Sequence, residues 1–286
     1  MINFIPFYKR KDFDDGVEEP QEVKHFNSFG EGYDYYLDSY RTSMGWYHTR
    51  DEAKFSVASD EITKIMPESG RPFDMIRVKG LADKNIIESK TLAETHIFNE
   101  ADIDGPIIST GCDHIINGNF NKWLDENDFD IAIPLRRQSR VNNALIIQKR
   151  RTKNTIDFFN YRLEMFYKLR ESHRAWYGDQ KSYESIFFET GVLTKGVKGS
   201  GRLGLHNIMG CKVLVIPYGG DVVGTNIDDV YGQYFFPNAL FFDYKGDRKK
   251  KYKIGLERAR AKFRENKDQF VNKSDFINFN NENTNE

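Results

Sequence analysis

An aspartate stands in an otherwise apolar stretch near the middle of the chain. The segment GPIISTGCDHII places an apolar run, 105–110, shortly before Asp113, and the apolar pair Ile115 and Ile116 follows it. A buried carboxylate without a partner is energetically costly, so Asp113 is expected to face a partner such as a cation. An aspartate that caps a helix or closes a turn is the open alternative, because short motifs often mislead.

Polar residues border three other apolar or helical segments. Asp60 follows the apolar run KFSVAS, and Asn142 stands before the apolar run NALIIQ. Asp179 and Gln180 stand at the start of a helix in the segment WYGDQKSYESIF. The structural alternatives are a turn for Asn142 and a helix cap for Asp179, because asparagine is common in turns and aspartate is a favoured cap.

A basic run follows the last apolar run of the chain. In the segment ALFFDYKGDRKKKYK, Asp243 ends the apolar run, and Lys245, Gly246, Arg248 and Lys249 come next. Glycine permits a backbone turn that other residues resist, so such a loop can present its cations to phosphate groups. The alternatives are a solvated charge run and a nucleic-acid-binding patch.

The elements that must position these residues are apolar runs alternating with helical patterns. Strands are predicted at 54–59, 73–78, 105–110, 129–136, 143–148, 212–217 and 239–244, and helices at 33–43, 85–100, 155–172 and 252–263. This order indicates an α/β fold with a mostly parallel central sheet that is covered by helices. Ligands of such sheets bind beyond the carboxyl ends of the strands, where the polar residues stand.

The composition narrows the class of protein. The 42 Lys and Arg residues balance 43 Asp and Glu residues, for a net charge of −1, so a globally basic nucleic-acid binder is not expected. The N-terminal segment turns charged after a few residues, and no run approaches the roughly 20 apolar residues of a membrane span. Cys112 and Cys211 provide neither a disulfide framework nor zinc-site spacing. We therefore expect a cytoplasmic protein without a membrane span.

The domain organisation is predicted to be simple. No long linker interrupts the chain, so a single domain is expected over 1–270. Residues 271–286 are polar and rich in asparagine, which predicts a disordered tail.

The order of these segments resembles that of GT-A glycosyltransferases. The DxD motif of that family lies at the end of a strand, where this chain has Gly111, Cys112 and Asp113. Only the second acid is present, and the resemblance assigns it to a divalent metal. His114 is a weak ligand candidate, because alternation along a strand would point it away from Asp113. The segment KFSVASDE resembles the first strand of the nucleotide-binding half, with Asp60 after it.

Three later segments extend the resemblance over most of 54–252. Asn142 matches a position whose amide contacts the donor sugar, and Asp179 with Gln180 matches an element beside that sugar. Asp243 stands where the family has a metal-binding histidine, and an oxygen ligand there suits Mg²⁺ or Mn²⁺. Lys245, Gly246, Arg248 and Lys249 match the loop that holds the diphosphate.

The resemblance implies a GT-A fold and a glycosyltransferase assisted by Mn²⁺ or Mg²⁺. The implied donor is a nucleotide sugar, above all a UDP-sugar, and the acceptor is an unidentified glycan, protein or small molecule. The order of the motifs is closer to retaining families than to inverting ones. The alternatives are a catalytically inactive nucleotide-sugar-binding protein, a viral or host-interaction protein on the same fold, and a nucleic-acid-processing enzyme that uses the basic run.

Overall fold

A computed structural model describes residues 1–9, 33–65, 67, 69–99, 102–175, 177–227, 235–244 and 246–266. Its first strand, β1, covers Ile2–Pro6, a segment that the sequence pattern left unassigned. This strand lies between β2 and β4 in the sheet and is buried along its whole length. The segment KFSVASDE therefore forms the second strand of the sheet's parallel part, and the prediction that it is the first strand was wrong.

The strands of the described residues form one twelve-stranded sheet. Their bounds are β1 Ile2–Pro6, β2 Ala53–Ser59, β3 Asp74–Arg77, β4 Ile107–Thr110, β5 His114–Ile116, β6 Ile131–Arg136, β7 Arg140–Val141, β8 Leu145–Gln148, β9 Gly204–Ile208, β10 Cys211–Tyr218, β11 Val223–Gly224 and β12 Phe241–Asp243. The order is β3-β2-β1-β4-β8-β6-β10-β11-β12-β5, with β7 paired to β6 and β9 paired to β10. Most pairs are parallel, and β5, β7, β8 and β9 run against their neighbours.

The helices are α1 Tyr33–Tyr47, α2 Ile86–Asn99, α3 Phe120–Glu126, α4 Lys153–Lys168, α5 Glu171–Ala175, α6 Gly178–Glu189 and α7 Tyr252–Asn266, and a 3₁₀ helix covers Gly246–Lys251. The mostly parallel sheet flanked by helices confirms the predicted α/β class. The predicted helix at 155–172 is two helices, because α4 ends at Lys168 and α5 begins at Glu171. The predicted tail at 271–286 lies outside the described residues.

Both faces of the sheet are covered by helices, as a largely parallel sheet requires. Successive side chains of a strand point to opposite faces, so Phe4 packs in the core on one face and Ile5 in the core on the other. The first core includes residues of α1 and α3, and the second includes residues of α2, α4 and α6. None of the described helices is both long and apolar enough to cross a membrane.

Candidate functional site

Two of the predicted acids meet at one histidine. His114 Nδ1 lies 3.5 Å from Asp243 Oδ1, and His114 Nε2 lies 3.7 Å from Asp113 Oδ1. His114 and Asp243 are fully buried, and Asp113 is nearly so. We call Asp113, His114 and Asp243 the carboxylate–imidazole cluster. The structure thus brings together the two carboxylates that the resemblance assigns to a metal.

The register of one short strand pair explains the position of His114. His114 stands directly opposite Asp243 in the antiparallel pair of β5 and β12, and opposite residues of such a pair share a face. Asp113 lies just before β5, so the alternation that was expected to separate it from His114 does not apply to it. The prediction that the two side chains point apart was therefore wrong.

Each carboxylate oxygen of the cluster has a neighbouring polar group. Lys249 Nζ lies 3.3 Å from Asp113 Oδ2, and the Tyr218 hydroxyl donates a hydrogen bond to Asp243 Oδ2. Burial lowers the pKa of Lys249, but the neighbouring Asp113, Cys112 and Tyr36 together outweigh burial and leave that pKa raised. Lys249 is thus a half-buried ammonium within the site.

The position of the missing first acid has little room for a side chain. A Cβ atom added at Gly111 would lie 3.1 Å from His114 Nε2 and 3.2 Å from Asp113 Oδ1. Both distances are tighter than ordinary van der Waals contact. The glycine therefore makes room for the contact between Asp113 and His114.

The cluster does not form a metal site as it is arranged. Among the described residues, no group of three or more His, Cys, Asp and Glu side chains could hold a metal ion. The oxygens of Asp113 and Asp243 face an imidazole, an ammonium and a phenol, so a metal would have to displace at least one of these groups. The predicted metal at Asp113 and Asp243 stays a prediction.

A second group of charged side chains lies on the helices α2, α4 and α6. Arg162 Nη2 bonds to Glu94 Oε2 at 2.8 Å, and both side chains are fully buried. Lys90 Nζ lies 3.7 Å from Glu94 Oε1 and 3.5 Å from Asp179 Oδ2. We call Lys90, Glu94, Arg162 and Asp179 the buried ionic cluster. It holds two cations and two carboxylates, which balances its charge inside the protein.

Asp179 of this cluster lies in the first turn of α6. The cap residue of α6 is Tyr177 in the left-handed conformation, so Asp179 lies in the first turn and is not the cap. A carboxylate in the first turn interacts favourably with the helix dipole. Gly178 is required by packing, because a Cβ atom there would lie 2.7 Å from Phe166 Cε2.

The asparagine that faces Asp179 is Asn143, whereas Asn142 turns away. Asn143 Nδ2 donates to Asp179 Oδ2 at 3.0 Å. Asn142 Oδ1 accepts from the backbone nitrogen of Ala144 at 2.7 Å. Asn142 therefore holds a turn, which was the structural alternative given for it in the sequence analysis. Gln180 is half-buried, and its backbone donates to Asp179 Oδ1 at 2.9 Å.

Asp60 lies at the carboxyl end of β2, but its side chain holds a turn. Its Oδ1 accepts from the backbone nitrogens of Ile62 and Thr63 at 3.2 and 2.6 Å. Its Oδ2 lies 4.0 Å from Lys9 Nζ, and the residue is only 1% exposed. Asp60 is thus buried in a local turn, where a nucleotide would have to displace these contacts.

The basic segment after β12 is helical where the structure describes it. Gly246–Lys251 forms a 3₁₀ helix that leads into α7, so the expected open glycine loop is not formed there. Lys245 and the side chain of Arg248 lie outside the described part of the chain. Of the cations predicted to meet a diphosphate, Lys249 is the one that the structure places against Asp113.

The sequence pattern underrated or missed several residues of the site. His114 was rated only a weak ligand candidate. Lys90, Glu94 and Arg162 look like ordinary helix residues, Tyr218 ends a strand, and Asn143 neighbours the asparagine that was chosen. The double asparagine before an apolar run was a signal for Asn143. No pattern within the sequence connects Tyr218 to Asp243.

Comparison with known proteins identifies the fold. The galactosyltransferase LgtC, solved in complex with donor and acceptor sugar analogs, is similar to this chain with a TM-score of 0.50 at 12% identity. The match covers 91% of this chain and 95% of that chain. The predicted GT-A fold is therefore confirmed.

A second similar structure is larger than this chain. The glycosyltransferase GlyE of Streptococcus pneumoniae TIGR4 matches with a TM-score of 0.47 at 13% identity, over 94% of this chain and 64% of that chain. The chain therefore spans less than two thirds of GlyE. No protein-family model matches the sequence, and no curated protein matches it.

Proposed function

We propose that this chain is a glycosyltransferase that moves a sugar from a nucleoside diphosphate donor, a UDP-sugar above all, to a separate acceptor. One observation carries the proposal: the Lys249 ammonium lies against Asp113 and beside the carboxylate–imidazole cluster, near the carboxyl end of β4. Ligands of mostly parallel sheets bind at this edge. The fold shared with LgtC, which was solved with donor and acceptor sugar analogs, supports the same assignment.

Lys249 is the group we assign to the leaving diphosphate. Negative charge builds on the bridging phosphate oxygen when the glycosidic bond breaks, and a preorganised cation stabilises that charge. Lys249 is held by Asp113 and is only 22% exposed, so it keeps its position before the donor arrives. Arg248 and Lys245 follow β12 in the sequence, as Lys249 does, and we assign them to the same diphosphate.

The sugar side of the site belongs to the N-terminus of α6 in this proposal. Asp179 is fixed by Lys90 and Asn143, which leaves its carboxylate with a defined orientation. We assign Asp179 and Gln180 to the donor sugar and replace Asn142 by Asn143, because the Asn142 amide already bonds to Ala144. The reaction we propose is retaining, in which the donor phosphate accepts the proton of the acceptor and no separate strong base is needed.

The proposal is tested with a panel of nucleotide sugars and free UDP in thermal-shift measurements, with EDTA or with added Mn²⁺. A donor at a hundred times its Kd should stabilise the fold by about 2.7 kcal/mol. We expect the UDP shift to persist in EDTA, because Lys249 supplies positive charge at the phosphates, and to weaken in Lys249→Ala. A UDP shift that appears only with Mn²⁺ would instead support a metal at Asp113 and Asp243.

Product analysis then separates the candidate functions. Release of UDP from one donor, accelerated by an acceptor, would support transfer. Tight donor binding without turnover would support the alternative of an inactive nucleotide-sugar-binding protein. If no nucleotide sugar stabilised the protein under either condition, the proposal would be wrong.

A further inference from the structure

Two segments beside the site carry cations and no acids. The sequence has no Asp or Glu between Asp130 and Asp157, and none between Glu189 and Asp221. The whole chain has a net charge of −1, so these stretches are a local concentration of positive charge. Their cations at the carboxyl edge of β6 are Arg136, Arg137, Arg140, Lys195, Lys198 and Arg202, which we call the cationic rim.

The structure joins the two segments to each other. Residues 137–139 form the turn between β6 and β7, and residues 194–202 form a strap that crosses this turn. Gly199 N donates to Ser139 Oγ at 2.6 Å, and Gly201 N donates to Gln138 O at 2.6 Å. A Cβ atom at Gly201 would lie 2.2 Å from Leu135 Cδ2, so the close approach of the strap requires this glycine.

The cationic rim adjoins both halves of the site. Arg136 pairs with Tyr218 across β6 and β10, and its guanidinium carbon lies 6.0 Å from the centre of the Tyr218 ring. Tyr218 in turn donates to Asp243. On the other side, Arg140 begins the strand that leads to Asn143, the partner of Asp179. A molecule bound at the rim would therefore reach the reacting groups.

The rim presents its charge to solvent. Lys195, Lys198 and Arg202 are exposed, and among the described residues they form no ion pair. Among the described residues, Glu184 is an acid beside the rim: its carboxylate accepts from the backbone of Val141 at 3.2 Å and lies near Arg140. The strap itself, 194–202, carries three cations and no acid.

Open space lies beside two glycines of the strap. Gly196 and Gly199 have φ values of +78° and +72°, and neither has a heavy atom within 4 Å of where a Cβ atom would lie. A ligand can therefore approach the strap closely at both positions.

We propose that the cationic rim binds phosphate groups of the acceptor, so that the acceptor is a phosphate-bearing glycan or polyol. This inference rests on the proposed function, because it assigns the donor diphosphate to Lys249 and the rim to the second substrate. The rim carries six cations, more than one diphosphate would need. Neither the turn nor the strap contains an aromatic residue on which a nucleic-acid base could stack, which favours a polyol or glycan phosphate over a single-stranded nucleic acid.

The test compares two double variants of the full chain by calorimetric binding of poly(glycerol phosphate). Lys195→Ala with Lys198→Ala removes two exposed cations of the rim. Lys122→Ala with Lys153→Ala removes two exposed lysines on α3 and α4, outside the rim, and serves as the control. Neutral dextran and UDP are titrated into each protein, at about 20 mM and about 300 mM NaCl.

We expect the rim variant to bind poly(glycerol phosphate) about tenfold more weakly at low salt, with a smaller difference at high salt, where exposed charges are screened. The control variant should stay within about twofold of the parent, and neither should bind dextran. UDP affinity should be unchanged in the rim variant, because Lys249 is intact. Equal poly(glycerol phosphate) affinities in both variants would overturn the inference, as would a parallel loss of UDP affinity.

Two further outcomes separate this inference from the proposed function. If a single-stranded oligonucleotide bound through Lys195 and Lys198 more tightly than poly(glycerol phosphate), the rim would be a nucleic-acid surface and the inference would be wrong. If the parent bound poly(glycerol phosphate) through the rim but bound no nucleotide, the proposed function would fail while phosphate binding at the rim stood.

Discussion

At the scale of single residues, one imidazole organises the site. His114 packs edge-on to Tyr40, with 6.2 Å between ring centres, and lies 4.6 Å from the ring centre of Phe241. These contacts fix the ring so that each nitrogen faces one carboxylate. Gly111 completes the arrangement by leaving space beside His114, so the absence of the first acid and the presence of the histidine are structurally connected.

An acid at position 111 should therefore lower the stability of the folded protein. Gly111→Asp places a third carboxylate beside Asp113 and crowds His114, and we expect it to reduce the free energy of unfolding by about 1–3 kcal/mol. Gly111→Ala tests crowding without charge and should have the smaller effect. Urea unfolding measures both variants. Tighter binding of UDP with Mn²⁺ by Gly111→Asp would contradict this account and favour a metal site with two acids.

At the scale of elements, the sequence predicted most strands and helices but not how they meet. The run INFIPF was left unassigned because the stretch up to about residue 28 is mixed in character, although the run contains an interior strand of the sheet. The pairing of β5 with β12 brings His114 to Asp243 across distant parts of the chain. Periodicity within one segment does not reveal such a register. The choice between Asn142 and Asn143 depends on the irregular backbone between β7 and β8, which also has no periodic signature.

The buried ionic cluster connects three helices, and breaking it should be costly. Arg162 of α4 bonds to Glu94 of α2 and to the backbone of Asp179 in α6. Arg162→Met leaves two carboxylates with the single cation Lys90, and we expect a loss of about 3–5 kcal/mol in the free energy of unfolding. The double variant Arg162→Met with Glu94→Gln should recover part of that loss in a double-mutant cycle. Additive losses would show that the two side chains do not act as a pair.

At the scale of the whole molecule, stability should depend on pH through the buried histidine His48. His48 is fully buried beside Phe4, and its Nε2 accepts from the backbone of Phe120 at 3.5 Å. Burial lowers the pKa of His48 to about 4, from an ordinary value of 6.5, although Glu52 opposes the shift. The unfolded chain therefore takes up a proton on His48 at a higher pH than the folded protein does.

The sign of the pH dependence follows from that difference in the number of bound protons. The contribution of His48 to the free energy of unfolding is complete above pH 6.5. It is lost as the pH falls toward 4, by roughly 3 kcal/mol in total. Urea unfolding between these values should show the slope, and His48→Gln should remove most of it. His173→Gln, which changes an exposed histidine, is the matched control and should keep the slope. An unchanged slope in His48→Gln would assign the pH dependence to other groups.

The three-residue pairing of β5 with β12 has a consequence for how the protein acquires its site. The paired residues are more than a hundred positions apart in the chain, so the loop that they close is long and its closure loses much chain entropy. Contacts of such separation slow folding, and a ribosome-bound chain that has reached α6 already contains Asp113, His114 and Asp179 but still lacks Asp243 and Lys249. The edge of the sheet that carries the proposed site is therefore completed only when nearly the whole described chain has been synthesised, and a partly made chain lacks Lys249, the cation that we assign to the diphosphate.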